Sequence, residues 1–162
     1  MSKVVTNTSP LIVLAKARML DVLPRIFERV AAPQAVIDEI QAGPEHDLMR
    51  QALPVQPWLS VVQLDPPLSA RAADQLGAGE AEAIEFARRN EGWSLLVDDR
   101  AARRVSSRDG IPTLGTVSVI AMASESKFVP SFEIAASELR KAGLFITDEL
   151  IELVRQRLGE NK

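Results

Sequence analysis

Ser94-Leu95-Leu96-Val97-Asp98-Asp99-Arg100-Ala101-Ala102-Arg103-Arg104 is the stretch that decides the fold class. A short apolar run of strand character meets two adjacent carboxylates, and the segment 100–108 then takes helical spacing. In an open α/β sheet, ligands bind in the crevice outside the carboxyl ends of the strands, which is where this pair falls. Two neighbouring like charges repel unless a cation or an arginine compensates them, and Arg100 is the nearest candidate.

The same strand-to-helix junction occurs upstream. Val4-Val5 followed by Asn7-Thr8-Ser9-Pro10 reads as a buried strand stopping at a cap, with Pro10 at the first helical position ahead of a helix over 11–17. A helical segment over 20–27 precedes a brief strand at Val30-Ala31, and Pro33 opens a helix over 34–41 that Gly43-Pro44 closes. A helix over 47–52 follows, then a proline-interrupted stretch with its strand at Val61-Val62. A helix over 69–76 is broken by Gly77-Ala78-Gly79 before the next, over 80–89. The last core strand covers 111–114, a helix 117–124, and Ser131 and Thr147 cap two further amphipathic helices. Strand and helix alternate throughout, which predicts a parallel sheet covered on both faces.

At 162 residues and 46% hydrophobic, the chain fits one compact domain with a full core. The absence of cysteine removes disulfides, thiolate zinc sites and thiol nucleophiles together, and suits a reducing compartment such as the cytoplasm. The single histidine, His46, lies in the turn-like Gly43-Pro44-Glu45-His46-Asp47, which argues against a Ser-His-Asp triad. The N-terminus meets Asn7 and Pro10 before any long apolar run, so it does not read as a signal peptide, and no stretch is apolar enough to span a bilayer. A net charge of −3 argues against wholesale coating of nucleic acid but leaves room for a local basic stripe.

Asn7, Glu39, Glu80, Asp98 and Asp99 each sit where a strand ends or a helix begins. Oxygen donors of this kind suit Mg²⁺ or Mn²⁺, which polarises a phosphoryl oxygen and lowers the pKa of a bound water without any histidine. Glu39 lies beside the apolar stripe of Val36 and Ile40, where a side chain reaches a crevice; a solvated helix residue is the plain alternative. Glu80 in the first turn of a helix is equally explained by the macrodipole. Arg100, Arg103, Arg104 and Arg108 recur at helical spacing beside the acidic pair and form a candidate phosphate-binding stripe, or merely a solvated face.

Together, Val4-Val5-Thr6-Asn7-Thr8-Ser9-Pro10-Leu11, Pro33-Gln34-Ala35-Val36-Ile37-Asp38-Glu39-Ile40, Gly77-Ala78-Gly79-Glu80-Ala81-Glu82-Ala83-Ile84 and Leu96-Val97-Asp98-Asp99-Arg100-Ala101-Ala102-Arg103 resemble the PIN-domain family. More narrowly they resemble its DUF3368 branch, close to VapC-type toxins. The resemblance implies a three-layer α/β/α sandwich with a parallel Rossmann-like sheet, as a single PIN-like domain over 1–162 whose C-terminal helices, at about 131–158, pack on it. It also implies a Mg²⁺- or Mn²⁺-dependent endoribonuclease acting on RNA, paired with a small antitoxin protein and assembled as a homodimer.

By that resemblance Glu39, Glu80, Asp98 and Asp99 are catalytic, Asn7, Glu80 and Asp99 hold the metal, and Ser9 and Thr116 are polar neighbours. Asn7 departs from the family, which has aspartate at the end of the first strand. Asparagine keeps a carbonyl oxygen for a cation but removes a negative charge and cannot take up a proton as a carboxylate does. Two other readings follow from these residues. One is a PIN-like module that binds RNA or a protein partner and has lost turnover through Asn7. The other is a phosphoacceptor signalling domain, against which the order argues: its acidic pair would follow the first strand, whereas here the pair comes late.

Overall fold

The computed structural model describes residues 2–53, 56–69 and 76–160. Five strands, β1 (Lys3–Thr6), β2 (Arg29–Pro33), β3 (Leu59–Val62), β4 (Trp93–Leu96) and β5 (Thr113–Leu114), form one sheet in the order β3-β2-β1-β4-β5, and every pairing is parallel. Among the described residues the helices are α1 (Thr8–Lys16), α2 (Val22–Ile26), α3 (Gln34–Ala42), α4 (Leu48–Ala52), α5 (Ala78–Arg89), α6 (Arg100–Arg108), α7 (Thr116–Glu125), α8 (Phe132–Lys141) and α9 (Asp148–Glu160).

Alternation along the strands makes the layers. On β1, Val4 packs with Leu11, Leu14, Ile40 and Ile120, while Val5 packs with Ala83, Ile84, Ala87 and Ala102. On β4, Leu96 joins the first set and Leu95 the second. Successive side chains point to opposite faces of a strand, so a strand apolar at every position must be covered twice. Helices α1, α3, α7 and α8 cover one face and α5 and α6 the other, giving the expected three-layer α/β/α sandwich.

The structure moves several boundaries. Helix α1 begins at Thr8, so Pro10 is its third residue; a first-turn N–H has no helical partner, and proline there loses nothing. Helix α5 begins at Ala78, which narrows the expected break to Gly77. Most of the expected helix over 69–76 lies outside the described residues. Ser131 and Thr147 do act as caps, accepting from the N–H groups of Ile134 and Leu150 at 3.3 and 3.1 Å. The terminal apolar residues divide: Phe132 and Leu139 are buried in the core, whereas Phe145, Leu150 and Leu153 stand exposed.

The sheet reverses its strand order at β1, whose neighbours are β2 and β4, and that is where the crevice opens. The Asn7 N–H donates to the Leu96 carbonyl at 3.2 Å, and the Val97 N–H to the Leu114 carbonyl at 2.9 Å. Pairing thus continues past the strand ends and fixes the backbone on which Asn7, Asp98 and Asp99 stand.

Candidate active site

A cleft of about 910 Å³ opens at the carboxyl ends of β1 and β4. Its lining brings together Asn7, Ser9, Glu80, Asp98, Asp99, Arg100 and Arg103 from three separate segments of the chain. Glu39, Arg104, Arg108 and Thr116 do not line it. At 100° per residue Arg103 lies ~60° to one side of Arg100 on α6, and Arg104 and Arg108 lie ~40° and ~80° to the other, so the cleft meets the first side and not the second. His46 is exposed and takes no part in the lining.

Each acid is held differently. Asn7, only 8% exposed, caps no helical N–H with its side chain; instead its Nδ2 donates to Glu80 Oε1 at 3.0 Å. Among the described residues its Oδ1 accepts no hydrogen bond and no buried polar side-chain atom lacks a partner, so that oxygen opens on the cleft. Glu80 is half-buried, and its carboxyl is pushed above its ordinary range by burial first, then by the charges of Asp99 and Glu39. Asp99 caps α6, Oδ1 accepting from the Ala102 N–H at 3.0 Å. Among the described residues neither Glu80 Oε2 nor Asp99 Oδ2 accepts a hydrogen bond.

Asp98 and Glu39 are committed elsewhere. Both oxygens of Asp98 accept from Thr116, from its N–H at 2.8 Å and its hydroxyl at 2.6 Å, which ties the end of β4 to the first turn of α7. Glu39 accepts from the Gly79 N–H at 2.8 Å through Oε1 and from the Thr8 hydroxyl at 2.5 Å through Oε2. Gly79 precedes Glu80 and Thr8 follows Asn7, so one carboxylate grips the backbone neighbours of both cleft residues. A Cβ at position 79 would lie 2.9 Å from both Glu39 oxygens, so only glycine leaves this grip undisturbed.

Sequence reasoning did not find the far wall of the cleft. Phe145, Leu150, Leu153 and Arg157 reach it from the loop before α9 and from α9 itself. The visible signal was Phe145 between the glycine turn at Gly143 and the cap at Thr147, a large apolar residue in a loop that helix patterning does not explain. Arg100, Arg103 and Arg157 make no ion pair among the described residues, so three guanidinium groups face the cleft with their donors unspent.

A family model described as DUF3368: PIN domain matches residues 3–160, nearly the whole chain. The chain belongs to the PIN-domain family. PIN domains are in general nucleases, and PIN nucleases typically use divalent metal ions. No curated protein and no solved structure matches the chain. Among the described residues no three acidic or histidine side chains are grouped closely enough to hold an ion by themselves. The PIN-domain cleft nonetheless fits a hard divalent cation in its donors: it offers only oxygens, and Glu80 and Asp99 repel each other with one free oxygen apiece. Mg²⁺ commonly takes one or two carboxylates and completes its shell with water and substrate phosphate. No described helix is long and apolar enough to cross a membrane.

Proposed function

We propose that the protein is a divalent-metal-dependent endoribonuclease that hydrolyses RNA phosphodiesters. The observation that carries this reading is the convergence on one cleft at the strand ends of Glu80 and Asp99, each with a carboxylate oxygen free among the described residues, and of Arg100 and Arg103, unpaired among them. Glu80 Oε2, Asp99 Oδ2 and the amide oxygen of Asn7 would hold the ion. A Mg²⁺ or Mn²⁺ ion there supplies Lewis-acid polarisation of a phosphoryl oxygen and an acidified water.

The chain's own groups do the rest. Arg100 and Arg103 bind non-bridging phosphate oxygens through their planar donor pairs and set the scissile group over the acids. Glu80, whose carboxyl is pushed up by burial and then by the charges of Asp99 and Glu39, is the group that a cation's charge would relieve. Asp98 and Glu39 act as positioning residues: the first fixes the junction of β4 with α7, the second the residues beside Asn7 and Glu80. By the same reading the protein is the toxin of a toxin-antitoxin pair, a cytoplasmic homodimer neutralised by a small protein encoded beside it.

One observation favours a second reading, a PIN-like binding module with impaired turnover. The Asn7 amide donates to Glu80 and so supports the Glu80 charge without a cation, in the place where a carboxylate would require one. The test of both is cleavage of a mixed single-stranded RNA pool with Mn²⁺, Mg²⁺ or EDTA by wild type, Asp99→Ala and Asn7→Asp. Metal-dependent cleavage lost in Asp99→Ala supports the nuclease. Cleavage by Asn7→Asp alone supports the impaired module, and cleavage that persists in EDTA refutes the metal-dependent mechanism.

A further inference from the structure

Seven large hydrophobic side chains stand exposed among the described residues, and three of them, Phe145, Leu150 and Leu153, line the one cleft that also holds the acids. Phe145 is the extreme case at 82% exposed, on a loop between Gly143 and the Thr147 cap. A phenyl ring has no polar edge that gains from water, so a loop that holds one out beside unpaired arginines calls for an occupant. That occupant has to be flat and apolar on its face and anionic along its backbone, because Arg100, Arg103 and Arg157 share the same cleft and make no ion pair among the described residues.

We propose that Phe145 is a base-stacking residue: it holds one unpaired nucleobase of the substrate strand, with Leu150 and Leu153 flanking it, while Arg157 takes the adjoining phosphate. The proposal rests on the nuclease reading above and adds a residue that positions the strand in the cleft. A ring face accepts every base, so stacking supplies affinity and places the strand; any preference among bases follows from stacking strength. A second protein chain fits the wall less well. One ring and two half-exposed leucines offer far less than the ~800 Å² per partner of a standard interface.

The test is equilibrium binding in EDTA, where cleavage does not intervene, of a 5′-fluorescein-labelled eight-nucleotide single-stranded adenine RNA and of the same strand with abasic sites, followed by anisotropy. Phe145→Ala is expected to weaken binding of the intact strand roughly 5- to 150-fold, the range for loss of one base-aromatic stack, and to leave the abasic strand unaffected. Phe145→Trp restores the loss. Arg157→Gln weakens both strands alike and lowers the salt slope by ~0.7, one phosphate contact on a single strand. Equal affinity of wild type and Phe145→Ala for the intact strand overturns the stacking role and leaves the nuclease reading standing. Equal losses on both strands also overturn it, as does a wild-type dimer in sedimentation that Phe145→Ala dissociates, since the wall is then a self-association surface. If wild type binds neither strand in EDTA the stacking role falls, and the nuclease reading is decided separately by metal-dependent cleavage of the RNA pool.

Discussion

Removing the Asp98 carboxylate tests whether it braces the fold. In Asp98→Ala, two hydrogen bonds to Thr116 are lost together, one from its N–H at 2.8 Å and one from its hydroxyl at 2.6 Å. Thr116 is fully buried, so water cannot replace the second, and Gly115, the cap of α7, has no side chain to take up the first. A hydrogen bond to a charged group contributes ~1.5–3 kcal/mol; with Asp98 itself half-buried the low end applies, or ~3 kcal/mol for the pair. At ~2–4 °C per kcal/mol for a chain of this size, Asp98→Ala should melt ~6–12 °C below wild type in EDTA. Asp98→Asn keeps an acceptor for the Thr116 N–H, and its new amide donates to a Thr116 hydroxyl that now accepts; it should lose ~1 kcal/mol or less. Calorimetry of the three proteins decides the matter. Melting of Asp98→Ala within ~2 °C of wild type, less than one such bond is worth, would refute the brace. So would Asp98→Asn falling as far as alanine.

Two further predictions separate charge from structure. Asp99→Ala loses the α6 cap and should cost ~1 kcal/mol, whereas Asp99→Ser keeps a capping oxygen and should melt near wild type. Both should lose any rise in melting temperature that Mn²⁺ gives wild type, and a Mn²⁺ response surviving in Asp99→Ser would remove Asp99 from the ion's ligands. For Glu80 the sign follows from its raised carboxyl: the native state binds the proton more tightly than the unfolded chain, so native stability is fully present below the ordinary value of 4.5 and declines as pH rises from there through the raised native value. Glu80→Gln keeps an acceptor for Asn7 Nδ2 and should flatten that decline, melting above wild type at neutral pH in EDTA with the gap closing toward acid; a gap that does not change with pH would contradict it.

The sheet was legible because its strands are apolar on both faces and end in polar residues, a pattern that only a doubly covered parallel sheet accommodates. Asn7, Glu80, Asp98 and Asp99 could be placed at one crevice because strand ends and helix starts can be read locally. What each carboxylate does there could not, because it depends on partners far away in sequence. Glu39 meets Gly79 across forty positions and Asp98 meets Thr116 across eighteen, and nothing near either acid signals those bonds. The arginine stripe shows the opposite limit. Its spacing over 100–108 is helical as expected, yet only Arg100 and Arg103 reach the cleft, since the face toward the acids is fixed by how α6 docks.

The bond between Asn7 and Glu80 is where the two functional readings divide, and its chemistry explains why. With aspartate at position 7, two carboxylates would meet at hydrogen-bonding distance beside Asp99, and the apo site would be strained until a cation entered. Asparagine removes one of those charges and turns repulsion into a hydrogen bond, so the apo cleft is more stable and its demand for a cation weaker. The residual demand is still visible: the Glu80 carboxyl remains raised, by burial first and then by the charges of Asp99 and Glu39, even with the amide in place. On the proposed reading Asn7 would lower the affinity for a divalent ion without abolishing the reason to bind one. Such a site would depend on substrate phosphate, which the same reading gives to Arg100 and Arg103, to complete the ion's shell. Metal and RNA should accordingly bind cooperatively in wild type and more nearly independently in Asn7→Asp, where the protein alone supplies the missing charge.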